Sequence, residues 1–291
     1  MLPNKHFEND YRLKATLVFS FALLLFFMRF MNNVLVSQIG EVPFLFEQKE
    51  WTYRLFYQSS IAQWLTVHFI PAAMFDALLF FLPLVFMLTR SRLYVYGFSL
   101  IALIYFLLFN MAAGHHYHGM VGVLVMSVPF WSKNEERFNL LWQGARYYLL
   151  YIFASAALWK LLRGSAFEPE QMVNILKAQQ LDVLLQQPGS LRAVIAQYLI
   201  AHPAVAHGVL VTNMLLQLSF VTGFFTKRFD VVLLVLCVVF VVANYFAMSI
   251  VSAELLILCI PLLNFKQLQR IQDVLMVKED VAEEDIRPAV V

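Results

Sequence analysis

Seven histidines, a lysine and a glutamate stand in a 291-residue sequence that otherwise keeps few polar groups in its long apolar runs. His115, His116 and His118 fall together in Gly114-His115-His116-Tyr117-His118-Gly119. Imidazole suits zinc, copper or nickel, and a neutral ring can also stabilise negative charge growing on a substrate oxygen. Neighbouring helical positions point about 100° apart, and no cysteine or carboxylate stands nearby in sequence to complete a metal shell. The spacing therefore favours hydrogen bonding over metal binding. Lys160, in Trp159-Lys160-Leu161-Leu162-Arg163-Gly164, and Glu254 are ionisable groups inside apolar runs, where their cost makes them functional candidates. Each also has an ordinary reading: Lys160 as a side chain reaching toward headgroups, Glu254 as the ion-pair partner of Lys160 or Arg163. His68, His202 and His207 open apolar runs, and His202, beside Pro203, reads as structural. Asp76 reads as bundle-facing and hydrogen-bonded; Asn213, Gln217 and Asn244 read as polar glue between helices. Cys237 and Cys259 form no CxxC pair, and no nucleophilic-serine, Walker or dinucleotide motif occurs.

The elements that position these groups follow from composition. Hydrophobic residues make up 61% and charged residues 14%, against about 45–50% and about 25% in soluble domains. An all-α, polytopic membrane bundle results. Nucleic acid is excluded as a partner, because no basic stripe is present. Apolar runs predict spans near 15–36, 67–89, 93–113, 119–131, 140–162, 204–225, 229–247 and 249–264, about eight in all, with seven to nine compatible. Segment 119–131 rises only about 20 Å against a core of about 30 Å, so it is expected to be tilted, kinked near Pro129, or enclosed by protein.

Residues 1–14 then form a cytoplasmic tail, 15–265 the bundle, and 266–291 a second cytoplasmic tail. The short basic connections Arg90–Arg92 and Thr226–Arg228 set this orientation. The predicted setting is a bacterial inner membrane, with six of the histidines, Lys160 and Glu254 toward the outward side. Two outward segments are more than loops. Residues 43–63 carry rings suited to the membrane interface, and 168–202 reads as two amphipathic helices broken at Pro188-Gly189.

The run from Arg146 through Tyr151 to Trp159-Lys160-Leu161 resembles the helix carrying the essential lysine of vitamin-K-dependent gamma-carboxylase. It is similar also to the wider horizontally transferred transmembrane (HTTM) family. His115-His116-Tyr117, His207-Gly208, Leu218-Ser219 and the Thr226–Arg228 turn follow the order of that family. Gln217 departs from it, standing where a carboxylate is common, as do Val239 and Phe240, near a position where histidine is common. The resemblance implies an outward pocket for a quinone or hydroquinone, with Lys160 as base beside His115 or His116. Tyr117, His118, His207 and Glu254 would line it. Burial disfavours an ammonium, so a neutral lysine amine could accept a quinol proton. The gamma-carboxylase also carries a large lumenal domain, for which this sequence has no counterpart, so carboxylation of a peptide is not expected. Two other functional classes fit the sequence: a non-catalytic subunit partnering a membrane or periplasmic protein, and a metal or proton transporter.

Overall fold

A computed structural model describes residues 5–39, 51–113, 121–248, 254–263 and 265. Every regular element among them is helical. The first third holds α1 (Lys5–Met31), α2 (Val36–Ile39), α3 (Trp51–Gln58), α4 (Ile61–Val67), α5 (Phe69–Thr89) and α6 (Arg92–Ala113). Next come α7 (Val121–Ser127), continued by a 3-10 turn over Val128–Trp131, and α8 (Glu135–Leu162). A surface group follows: α9 (Gln171–Gln179), α10 (Leu181–Gln186) and α11 (Leu191–Ala201). The chain then returns through α12 (Pro203–Ser219), α13 (Thr222–Phe225), α14 (Asp230–Met248) and α15 (Glu254–Leu258), which runs into a 3-10 turn at Ile260–Leu262.

Five stretches are long and apolar enough to cross a membrane: His6–Ile39, Phe69–Thr89, Arg92–Met111, Pro203–Phe225 and Asp230–Ala247. At 28 residues, α8 is also long enough, but Arg146 and Lys160 interrupt its apolar character. Helices in lipid gain little from hydrophobic burial against one another, so close packing and polar contacts must join them. Ala15, Ala22, Ala72 and Ala145 accordingly lie buried, letting backbones approach. Between α1, α5 and the turn after α7, Phe19 meets Phe86 at 4.7 Å and Phe130 at 5.3 Å, in tilted and edge-to-face pairs. Such pairs add about 0.5–1.5 kcal/mol each beyond their area.

Two of the expected eight spans take another form. The described part of 119–131 is a short helix that tightens at Val128 and is buried at Val123, Met126, Pro129 and Phe130. Ser127 bonds Ser99 of α6 at 2.7 Å, and Tyr11 donates to the Phe130 carbonyl at 3.3 Å. The run 249–264 is not one long lipid-facing helix over its described residues. It is a five-residue helix and a turn, with Ile257, Leu258 and Cys259 almost wholly buried. These two short pieces pair with each other at Gly122, where an added Cβ would stand 2.8 Å from the Glu254 carbonyl oxygen. Irregular backbone at membrane depth is tolerable when protein surrounds it, as it does here.

Asp76 explains the break after α1. Its carboxylate accepts from the backbone N–H of Val36 at 3.1 Å and of Ser37 at 2.8 Å. That satisfies donors left open where the chain turns into α2.

The segment 168–202 folds as three helices rather than two. Its extra break falls at Gln180, which is wholly buried and donates to the Ala247 carbonyl at 2.9 Å, closing the end of α14. Met172, Val173 and Leu176 pack with Leu199 onto Ala206 and Leu210 of α12. On α11 the inward face is small, Ala193 and Ala196, while Leu191, Val194 and Tyr198 stay exposed. Trp51 of the 43–63 segment and Trp64 just after it are likewise exposed, as rings at a membrane interface would be.

The basic connections gather at one end of the bundle. Arg90 donates to Thr16 at 3.4 Å, and Lys227 and Arg228 share a cavity wall with Asp10 and Lys14.

Candidate functional site

Lys160 stands one turn before the end of α8. The helix stops because Gly164 takes a left-handed φ of 74°, a conformation a side chain would strain. From there Lys160 does not extend outward. Side chains on a helix lean toward its N-terminus, and the Lys160 amine donates to Gln217 Oε1 of α12 at 2.6 Å. Gln217 is only 3% exposed. It lies roughly 20 Å along the helix axis from Pro203 and about 12 Å from Phe225, deep within that apolar stretch. Arg163 behaves in the opposite way: it is exposed, with its guanidinium 4.3 Å above the Trp159 ring. Among the described residues no carboxylate pairs with Lys160. A carboxylate at position 217 would hold the ammonium by its charge; the carboxamide accepts the same bond without that charge.

One turn from Gln217 along α12, Asn213 enters a groove of about 500 Å³ between α12 and α14. Val205, Val209, Leu210, Leu216 and Val239 form its apolar wall, and Asn244 contributes a second carboxamide from α14. Both asparagines are half-buried. The groove thus has an apolar length and two carboxamides, and its nearest approach to the Lys160–Gln217 pair along α12 is Asn213, one turn from Gln217.

Glu254 is not a partner of Lys160 or Arg163. It pairs with Arg29 of α1, and the Arg29 guanidinium lies 4.3 Å over the Phe109 ring. α15 packs against α7 and α1, which brings Glu254 to Arg29 in the last turn of α1 rather than to the end of α8. Glu254 is therefore part of a second polar centre, distinct from Lys160.

His115, His116, Tyr117 and His118 lie outside the described residues. The chain on either side of them leads from this second centre, since Phe109 meets Arg29 and Gly122 meets Glu254. His207 is half-buried on α12, with Nδ1 buried and without a hydrogen-bond partner. It precedes Gln217 by about 15 Å along the axis, so it does not join Lys160 directly. The ring nitrogens of His68 and His202 meet the Trp64 and Tyr198 carbonyls at 3.0 and 2.8 Å, which are local capping contacts. Among the described residues no three His, Cys, Asp or Glu side chains gather as a metal site.

Two features escaped the sequence reading. Arg146, named there only as the start of the run that resembles the lysine-bearing helix, is 1% exposed and bonds Asp230 through Nε at 3.0 Å and Nη2 at 2.6 Å. Lys14 is buried beside Asp10 at 2.5 Å, with the rings of Phe138, Trp142 and Phe265 each 5.0–5.4 Å from its amine. The Arg146–Asp230 pairing carries no sequence signal because the partners are far apart, whereas Asp10 and Lys14 stand at i,i+4 on α1 and that spacing could have been read. No family model matches the chain, and no curated protein or solved structure is matched by it.

Proposed function

We propose that the chain is an HTTM-like, integral inner-membrane protein that binds a quinone or hydroquinone between α12 and α14 and uses Lys160 as a base. The observation that carries this reading is the turned-in amine. A lysine at the end of a membrane helix gains most by reaching water, yet this one is held on a buried carboxamide beside a groove with an apolar wall. The wall suits an isoprenoid tail, and the Asn213 and Asn244 carboxamides suit the oxygens of a quinoid ring. Gln217 orients the amine by accepting one of its hydrogens, which leaves the nitrogen free to take a phenolic proton when neutral. A hydroquinone would supply that proton and two reducing equivalents. The positive-inside rule puts the Arg90 and Arg228 end in the cytoplasm.

Protein purified in mild detergent should carry isoprenoid quinone that organic extraction and mass spectrometry detect, and added quinone should raise its thermal midpoint. If none is extracted and no quinone shifts the midpoint, the reading fails.

A further inference from the structure

The second cavity, about 740 Å³, lies at the other end of the bundle, among α1, α8, the start of α14 and the turn after α15. We infer that it binds a phosphate-bearing amphiphile whose head also carries a hydroxyl or ammonium donor. This inference is independent of Lys160.

The charges on its wall can be sorted. Asp10 is taken by Lys14, whose amine is enclosed by three rings, and Asp230 is taken by Arg146. Among the described residues on the wall, Lys227 and Arg228 are exposed cations, Glu135 is a carboxylate in neither pair, and His6 adds an imidazole. Adjacent lysine and arginine suit a phosphoryl group, which accepts a forked guanidinium bond and a point charge together. Gln143 also lines the cavity. A ligand with a hydroxyl or ammonium beside its phosphate meets Lys227, Arg228 and Glu135 at once. Trp142, Leu262 and Val231 form an apolar wall for the rest of the molecule. The cavity stands at the level of the basic connections, where phospholipid headgroups also lie.

The source could be such a headgroup or a soluble phosphate ester, and the test separates them. Delipidated full-length protein in detergent is titrated with phosphatidylethanolamine, phosphatidylglycerol, phosphatidylcholine or glycerol 3-phosphate, with binding followed by native mass spectrometry and thermal shift. Phosphatidylethanolamine and phosphatidylglycerol are expected to bind, and phosphatidylcholine, which lacks the donor, to bind less. Lys227→Ala with Arg228→Ala should weaken binding roughly thirtyfold. Glu135→Gln should reduce the preference for phosphatidylethanolamine over phosphatidylcholine. Lys133→Ala with Arg137→Ala, basic residues outside the cavity wall, should change nothing. Binding of glycerol 3-phosphate alone, with the same dependence on Lys227 and Arg228, would support the site with a soluble ligand. No binding by any probe, or equal binding by wild type and the Lys227/Arg228 variant, would overturn it.

Discussion

Arg146→Met is expected to cost about 3–5 kcal/mol of stability, a loss of most of the folded protein from detergent extracts. Besides Asp230, the guanidinium donates to the Gly223 carbonyl at 2.9 Å and the Thr226 carbonyl at 3.3 Å. It therefore fastens the whole turn from α13 to α14 against α8. Methionine keeps the apolar stem of the side chain but leaves a partly buried carboxylate and two carbonyls without their donor. Most of the cost comes from the stranded Asp230, so adding Asp230→Asn should return part of the stability. Thermal midpoints by tryptophan fluorescence measure this. A midpoint no lower than that of the exposed-site variant Arg163→Met would contradict the account.

Glu254→Leu should be the next most damaging change, lowering stability by about 3 kcal/mol or more. Its side chain is 6% exposed and that of Arg29 15%, so neither charge has water to fall back on. Loss of the carboxylate removes a charge partner of a largely buried guanidinium, and stacking on the Phe109 face is worth only about 1–2 kcal/mol. Glu254→Gln keeps a hydrogen-bond acceptor for Arg29 and should cost less than Glu254→Leu. Retention of α1 against α15 is the structural readout, seen as protection of the α15 backbone from hydrogen exchange. Identical protection and midpoint in wild type and Glu254→Leu would show that the pair does not hold these helices.

The long lipid-facing helices were legible from hydropathy alone. The expected span 67–89 is α5, which starts at Phe69 and ends at Thr89. Hydropathy cannot say whether lipid or protein surrounds an apolar run, and this is why 249–264 read as a crossing although Ile257 to Leu262 fill the interior. Length was the better guide for 119–131. On α11, spacing picks out Leu191, Val194, Ile195 and Tyr198; Ile195 packs inward beside Leu199, whereas Leu191, Val194 and Tyr198 stay exposed and Ala193 and Ala196 are buried. The break at Pro188-Gly189 was visible as turn chemistry, whereas the break at Gln180 depends on carbonyls of α14 distant in sequence.

The candidate site was legible by residue type more than by pairing. Lys160, Gln217, Asn213 and Asn244 each stood out as polar groups in apolar runs, and so did Glu254. Which of them meet depends on which helices lie side by side, and a sequence carries no direct record of that. Glu254 reads equally as a partner of Lys160 or Arg163, but α15 packs on α7 and α1, and the pair forms with Arg29.

The central claim is that Lys160, turned inward onto Gln217, serves a quinone bound in the adjoining groove. Quinone titration of Lys160→Met and Arg163→Met, with thermal shift as readout, tests it most directly. Lys160→Met leaves Gln217 without its donor, so Lys160→Met with Gln217→Met serves as the folded control, two apolar side chains replacing the polar pair. Both lysine variants are expected to keep a cooperative melting transition while losing the quinone-induced shift, and Arg163→Met is expected to keep that shift. Wild-type quinone binding in both lysine variants would contradict the assignment.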